Sequence, residues 1–210
     1  MQFFPVLRRL TNPAALDRYA DASVASSGLE VPRNYLHSPD NKVFGVFFRG
    51  ELIGGFLLGA PPIYRTLSCI AESADYGRLL AEMQGKGQHT EICCFFIELA
   101  HRRNPRLNLI VWLYLTYAIR RHSRAHLLFG TNSSSLAKLY GRTHRSRPFY
   151  TGTVGGNRTF VFHSTRSGSV RGMLEIIRHK WERQRKLRRR TVSEWSLVLG
   201  RRESRSPRAR

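Results

Sequence analysis

Apolar positions along the chain alternate between two spacings, and the changes of spacing outline the elements. Lys42–Phe48 and Leu52–Leu58 are two runs rich in aromatic and branched residues, separated by Arg49-Gly50-Glu51. Such a pair around a glycine turn predicts a hairpin. Gly54-Gly55 inside the second run predicts a bulge, or close approach of another backbone or a ligand. Thr90–Leu99 is almost continuously apolar, as a strand covered on both faces should be. Leu107–Arg121 is apolar nearly all round and reads as a buried helix. His126–Gly130 is a short strand and Ser133–Tyr140 a short helix. Tyr150–Val154 and Arg158–Phe162 flank Gly155-Gly156-Asn157 as a second hairpin.

Weaker patterns fill the gaps. Gln2–Leu7 suits a first strand. Thr11 or Asn12 caps a helix with Pro13 in its first turn, running to about Ala22. Residues 23–41 read as a loop rich in Ser, Pro, Asn and Asp. Pro61-Pro62 ends the hairpin, and Ala74–Met83 is helical. Gln84-Gly85-Lys86-Gly87 turns, and His101–Arg106 is a basic connection. The order predicts an α+β fold: a mixed, partly parallel central sheet flanked by helices.

Composition adds a core and an asymmetry. Of 210 residues 41% are hydrophobic, enough to bury a core. The formal charge is +21, and its position matters. Residues 1–163 carry 20 basic and 10 acidic side chains, whereas residues 164–210 carry 15 and 4. The chain therefore divides into a folded domain, 1–163, and a basic appendage, 164–210. Within the appendage Val170, Met173, Leu174, Ile177 and Trp181 fall at helical spacing opposite Arg, Lys, Gln and Glu. A basic amphipathic helix of this kind docks on its own domain, lies on an anionic membrane, or binds nucleic acid. Arg201–Arg210, with five Arg and no large apolar side chain, is expected to be disordered. No apolar run approaches the ~20 residues of a membrane-spanning helix. The N-terminus lacks the charged-then-apolar order of a secretory signal, and three cysteines make no disulfide framework. The expected location is cytoplasmic, with peripheral membrane association as the variant the basic helix allows.

Candidate chemistry is sparse. The eight histidines, at 37, 89, 101, 122, 126, 144, 163 and 179, show no metal-ligand spacing with the cysteines, so no metal site is expected. Adjacent Cys93 and Cys94 point to opposite faces of a strand and read as packing residues. Glu91 and Glu98 fall on opposite faces of the Thr90–Leu99 strand, so at most one can serve a given cleft as a general base.

Two local patterns carry a resemblance. KVFGVFFRGELIGGFLLG (42–59) is similar to the second and third strands of the GNAT superfamily of acyl-CoA N-acyltransferases. TNSSSLAKLY (131–140) resembles that family's Asn-x-x-Ala-x-x-Leu-Tyr helix, with Ser133, Leu136, Leu139 and Tyr140 on its spacing and Asn132 one residue early. The likeness covers roughly residues 2–162. It implies transfer of an acyl group from acetyl-CoA, or a longer acyl-CoA, to an amine. It implies Tyr140 as the acid that protonates the leaving thiolate; a general base for the amine could be Glu98 or Glu91 on the central strand. Phe96, Ile97 and Leu99 on the central strand, with Asn132 and Ser133, would contact the coenzyme. The family's glycine loop for the pyrophosphate is replaced by HRRNPRLN (101–108). There Arg102, Arg103 and Arg106 could hold phosphate by charge, at the start of the following helix. The competing reading is a non-catalytic basic protein that binds nucleic acid.

Overall fold

The computed structural model describes residues 4–28, 30–144, 147–154, 156–182 and 185. The expected Arg-rich tail lies outside the described residues. Strand β1 (Val6–Leu10) is followed by α1 (Pro13–Ser27) and α2 (Arg33–Leu36), then by the hairpin β2 (Lys42–Phe48) and β3 (Glu51–Gly59). Two helices, α3 (Arg65–Ser68) and α4 (Tyr76–Gly85), precede the central strand β4 (His89–Ile97). Next come α5 (Leu99–Arg102), α6 (Pro105–His122), β5 (His126–Thr131) and α7 (Ser134–Thr143). The hairpin β6 (Tyr150–Val154) and β7 (Asn157–Thr165) leads into a further helix, α8, described over 166–182.

One seven-stranded sheet runs in the order β1-β2-β3-β4-β5-β7-β6. All neighbours are antiparallel except β4 and β5, which are parallel and joined through α5 and α6. This is the mixed, helix-flanked α+β sheet that the residue pattern predicts. The main core packs Phe44, Phe56 and Phe129 of the sheet against Trp112, Leu115 and Ile119 of α6.

The turn between β2 and β3 is two residues long. Arg49 (φ 53°) and Gly50 (φ 87°) are both left-handed, as a type I′ turn requires. Two expectations shift. The first strand lies at Val6–Leu10 rather than Gln2–Leu7. The expected loop 23–41 is partly helical, because α1 continues to Ser27. Ser27 Oγ donates to the Ser23 carbonyl at 2.7 Å, so a serine-rich stretch extends the helix instead of ending it. Gly28 (φ 70°) then closes it by donating to the Val24 carbonyl.

Helix α8 is built into the domain. Met173 and Ile176 are buried in the main core with α6 and α7 residues, and Lys180 Nζ lies 5.5 Å from the Trp112 ring centre. Leu174 and Trp181 stay about half exposed. Among the described residues no helix is long and apolar enough to cross a membrane.

Gly54-Gly55 marks a close approach of backbone and ring. A Cβ on Gly55 would meet the Phe44 carbonyl oxygen and the Tyr19 ring, each at 2.5 Å. Gly55→Ala should therefore lower stability by roughly 1–3 kcal/mol in urea unfolding. Gly77→Ala, on α4 with open space around it, should be neutral or slightly stabilising in the same assay.

Candidate functional site: a wedge between two parallel strands

The parallel ladder between β4 and β5 is short. It joins His89 to His126 and ends at Ile92 opposite Phe129, although β4 continues to Ile97. Beyond Ile92 the strands part. The cause is a bulge in β4, where Cys94 and Phe95 together oppose Phe56 of β3. Cys94 adopts φ 52°, a left-handed conformation that costs a non-glycine residue about 1–2 kcal/mol. The hydroxyl of fully buried Tyr19 holds the bulge by donating to the Cys94 carbonyl at 2.7 Å. Gly55 leaves room for that ring.

The wedge opens onto a cavity of about 410 Å³. Its walls are Ile92–Phe95 of β4, Phe129–Thr131 of β5, and Leu136 and Tyr140 of α7. The hairpin β6–β7 adds Asn157 and Thr159, and the inner end is closed by Leu115 of α6 and Met173 of α8. Arg65 is the charged residue of the lining, and no carboxylate contributes to it among the described residues.

Buried Glu91 fixes the floor at Arg65. Its carboxylate accepts from the Tyr35 hydroxyl at 2.6 Å and from the backbone N–H groups of Arg65 and Thr66. Glu91 is thus committed to starting α3, while the Arg65 guanidinium donates to the Glu30 carbonyl. Cys93 is buried, which pushes its thiol well above the usual value. A hydrogen bond from Cys93 holds the Cys94 thiol below its ordinary value, against the opposing effect of burial.

Tyr140 reaches the wedge on α7, which starts with Ser133 accepting from the Leu136 N–H. Its ring packs edge-on against Phe129 and Phe162, at 5.3 and 5.7 Å between centres. Burial raises its phenol pKa, so the group stays protonated. Its hydroxyl has no hydrogen-bond partner among the described residues. Asn132 also lines the cavity and accepts from the Thr159 hydroxyl at 3.1 Å, tying the start of α7 to β7.

The remaining candidates from the sequence fall outside the cavity wall. Glu98 is the residue before α5, half-buried, and pairs with His101 at 3.4 Å. Phe96 packs against Tyr19 and Ile97 faces α6, while Leu99 is 59% exposed. Ser133 serves as the cap of α7. Arg102 is a strut: its Nε donates to the Ile97 carbonyl at 2.8 Å and its terminal nitrogen to the Ser26 carbonyl. Arg103 and Arg106 are exposed beside the start of α6. That helix start is closed by its own residue. Asn104 Oδ1 accepts from the N–H groups of Arg106 (3.1 Å) and Leu107 (3.2 Å), and Pro105 has no N–H to offer.

Arg65, Cys94 and Met173 contribute to the cavity, although the sequence reads Cys94 as a packing residue and Met173 as part of an amphipathic stripe and does not mark Arg65 at all. No short motif marks them, because their roles arise from a bulge, a helix start and a docked helix.

No protein-family model and no curated protein matches the sequence. Solved structures do. FeeM, an N-acyl amino acid synthase from uncultured soil microbes, superposes with a TM-score of 0.57 at 18% identity, covering 78% of this chain and 92% of that one. Arabidopsis thaliana NAA60, in complex with a bisubstrate analogue, gives a TM-score of 0.51 at 14% identity, over 77% of this chain and 99% of that one. The same plant protein with acetyl-CoA gives 0.51 at 12% identity, over 77% and 98%. The chain thus has the GNAT fold, with the parted parallel strands at its centre.

The lowered thiol makes one chemical expectation specific. Iodoacetamide should alkylate Cys94 and exposed Cys69, and leave Cys93 unmodified, as read by peptide mass spectrometry.

Proposed function

We propose that the protein is an N-acyltransferase that binds an acyl thioester in the wedge and passes the acyl group to an amine. The observation that carries this is the early end of the β4–β5 ladder at Ile92–Phe129, with Tyr140 facing the gap. An opened parallel pair leaves backbone donors and acceptors on β4 that a pantetheine arm, itself a chain of amides, can satisfy like an added strand.

In the proposed reaction the neutral amine attacks the thioester carbonyl. The tetrahedral intermediate collapses with cleavage of the carbon–sulfur bond, and the thiolate takes the Tyr140 proton. The amine's proton returns to the tyrosinate, so the site ends as it began. The thiolate of a thiol with pKa about 8.5 is a weaker base than a buried phenolate, so the tyrosinate is short-lived and the tyrosine acts as a relay, reprotonated by the amine. With no carboxylate in the lining, the amine enters neutral rather than being deprotonated inside.

The apolar inner end, formed by Leu115, Phe129 and Met173, favours a donor longer than acetyl. Each methylene lodged there is worth about 0.8 kcal/mol, roughly fourfold in affinity. Arg65 is the group suited to a carboxylate on the acceptor, which makes an amino acid the acceptor class we favour. FeeM's description as an N-acyl amino acid synthase supports the choice of acceptor.

A series of acyl-CoA thioesters tests the reading by thermal shift. At about 100 times Kd, mass action adds roughly 2.7 kcal/mol, equivalent to about 5–10 °C for a chain of this size. The shift should grow with acyl length. Met173→Trp should erase the gain from length while preserving any response to acetyl-CoA. Tyr140→Phe should keep the shift and lower kcat by roughly 100-fold or more. Absence of any shift across the whole series would remove the proposal.

A further inference from the structure

Three histidines lie together on the sheet, away from the cavity wall. His89 opens β4 and His126 opens β5, and the two are register partners across the parallel ladder. His163 on β7 pairs with Leu128, two residues along from His126, so it shares that face of the sheet. One ring nitrogen from each histidine falls within 4.8 Å of the other two. The Nε2 atoms of His89 and His163 are 3.1 Å apart. The three ring centres form a near-equilateral triangle, with sides of 5.1, 5.2 and 5.3 Å.

This arrangement leaves polar atoms poorly served. His126 Nδ1 is buried and has no hydrogen-bond partner among the described residues. His89 is 2% exposed, yet its neighbours on the cluster side are imidazoles rather than carboxylates or carbonyls. Three rings can share at most one N–H···N bond per contact, and a buried unmet nitrogen costs about 1–3 kcal/mol. A cation that takes a lone pair from each ring would relieve the crowding of ring nitrogens at the centre of the cluster.

The chemistry fits one class of ion. Zinc–imidazole bonds of about 2.0–2.1 Å at tetrahedral angles put the donor nitrogens about 3.3 Å apart, close to the His89–His163 separation. Metal ligation uses the neutral imidazole, one lone pair from each ring. Lys86, over the Phe149 ring, is paired with Glu82. Tyr64 and Phe149 wall the cluster, with ring centres 6.5 Å from His89 and 6.1 Å from His163. His126 and His163 are only partly buried, which leaves a side open to water.

We propose that His89, His126 and His163 form a three-histidine site for a divalent transition ion of the Zn²⁺ class, with water as the fourth ligand. The ion would bridge β4, β5 and β7 at the closed end of the wedge, below the point where β4 and β5 part. It would set how far the strands can open without touching the cavity. The proposal does not depend on the acyl-transfer reading.

The test uses the full chain without an affinity tag, stripped with chelator and reloaded with Zn²⁺ or Co²⁺. The expected result is one Zn²⁺ per chain after gel filtration, a higher melting temperature with Zn²⁺, and the visible absorption of four-coordinate Co²⁺. His126→Gln and His163→Gln should each weaken retention at least ~10-fold and abolish the Co²⁺ absorption. His37→Gln, on exposed α2-flanking chain, should leave both unchanged. Wild-type protein that keeps no stoichiometric ion and gives no Co²⁺ absorption overturns the site, whatever the variants do. An ion held equally well by both glutamine variants would belong to the cysteine thiols, and would overturn it too.

Discussion

The hydrogen bond from Tyr19 to the Cys94 carbonyl is the contact on which the rest of the site depends. A strand rarely holds a left-handed cysteine in its middle, and the neighbouring strands would straighten it if nothing resisted. Tyr19 resists from the far side of the sheet, through a space that exists because residue 55 has no side chain. The kink that results turns β4 away from β5 after Ile92. A single buried phenol on α1 thereby converts what would be a continuous parallel ladder into an open wedge. Glu91 acts on the same strand one turn of pleat earlier. Its carboxylate fastens α3 so that Arg65 forms part of the wall. Each device spends local stability, a left-handed residue in one case and a buried charge in the other, on the shape of a cavity.

Much of the architecture could be read from the chain, because strong hydrophobic spacing survives any tertiary context. The Lys42–Leu58 hairpin, the apolar β4 and the α6 helix all have side chains whose burial leaves no choice of period. What could not be read came from contacts between distant residues. Nothing in the spacing of Tyr19 and Gly55 says that one occupies the space the other vacates. Arg102, basic and just before a helix, reads in sequence only as a candidate for phosphate, and its structural partners lie far along the chain. In the fold, the end of β4 and the end of α1 present carbonyls that need donors, and Arg102 supplies them. The three histidines are widely separated along the chain and become neighbours only through strand order. Spacing rules for metal sites, which rest on local turns and helices, are blind to such a cluster.

Helix α8 docks on its own domain, one of the roles its amphipathic pattern allows. Its apolar side places Met173 and Ile176 in the core against α6 and α7. The same helix closes the inner end of the cavity through Met173. Its packing and the cavity's depth are thus one property. A rotation of the helix would change the length of any apolar group the wedge could accept, and would also expose Trp112 and Leu115.

The start of α6 bears on how a thioester donor would be recognised. In an uncapped helix the first N–H groups and the dipole draw in phosphate. Here Asn104 already satisfies Arg106 and Leu107, and Pro105 has removed a donor. A phosphate would have to displace a side-chain cap worth about 1 kcal/mol before gaining those donors. Exposed Arg103 and Arg106 would add charge there, in a setting where screened ion pairs contribute little. On the proposed reading, a donor on this scaffold would then be held chiefly by the wedge and its apolar end.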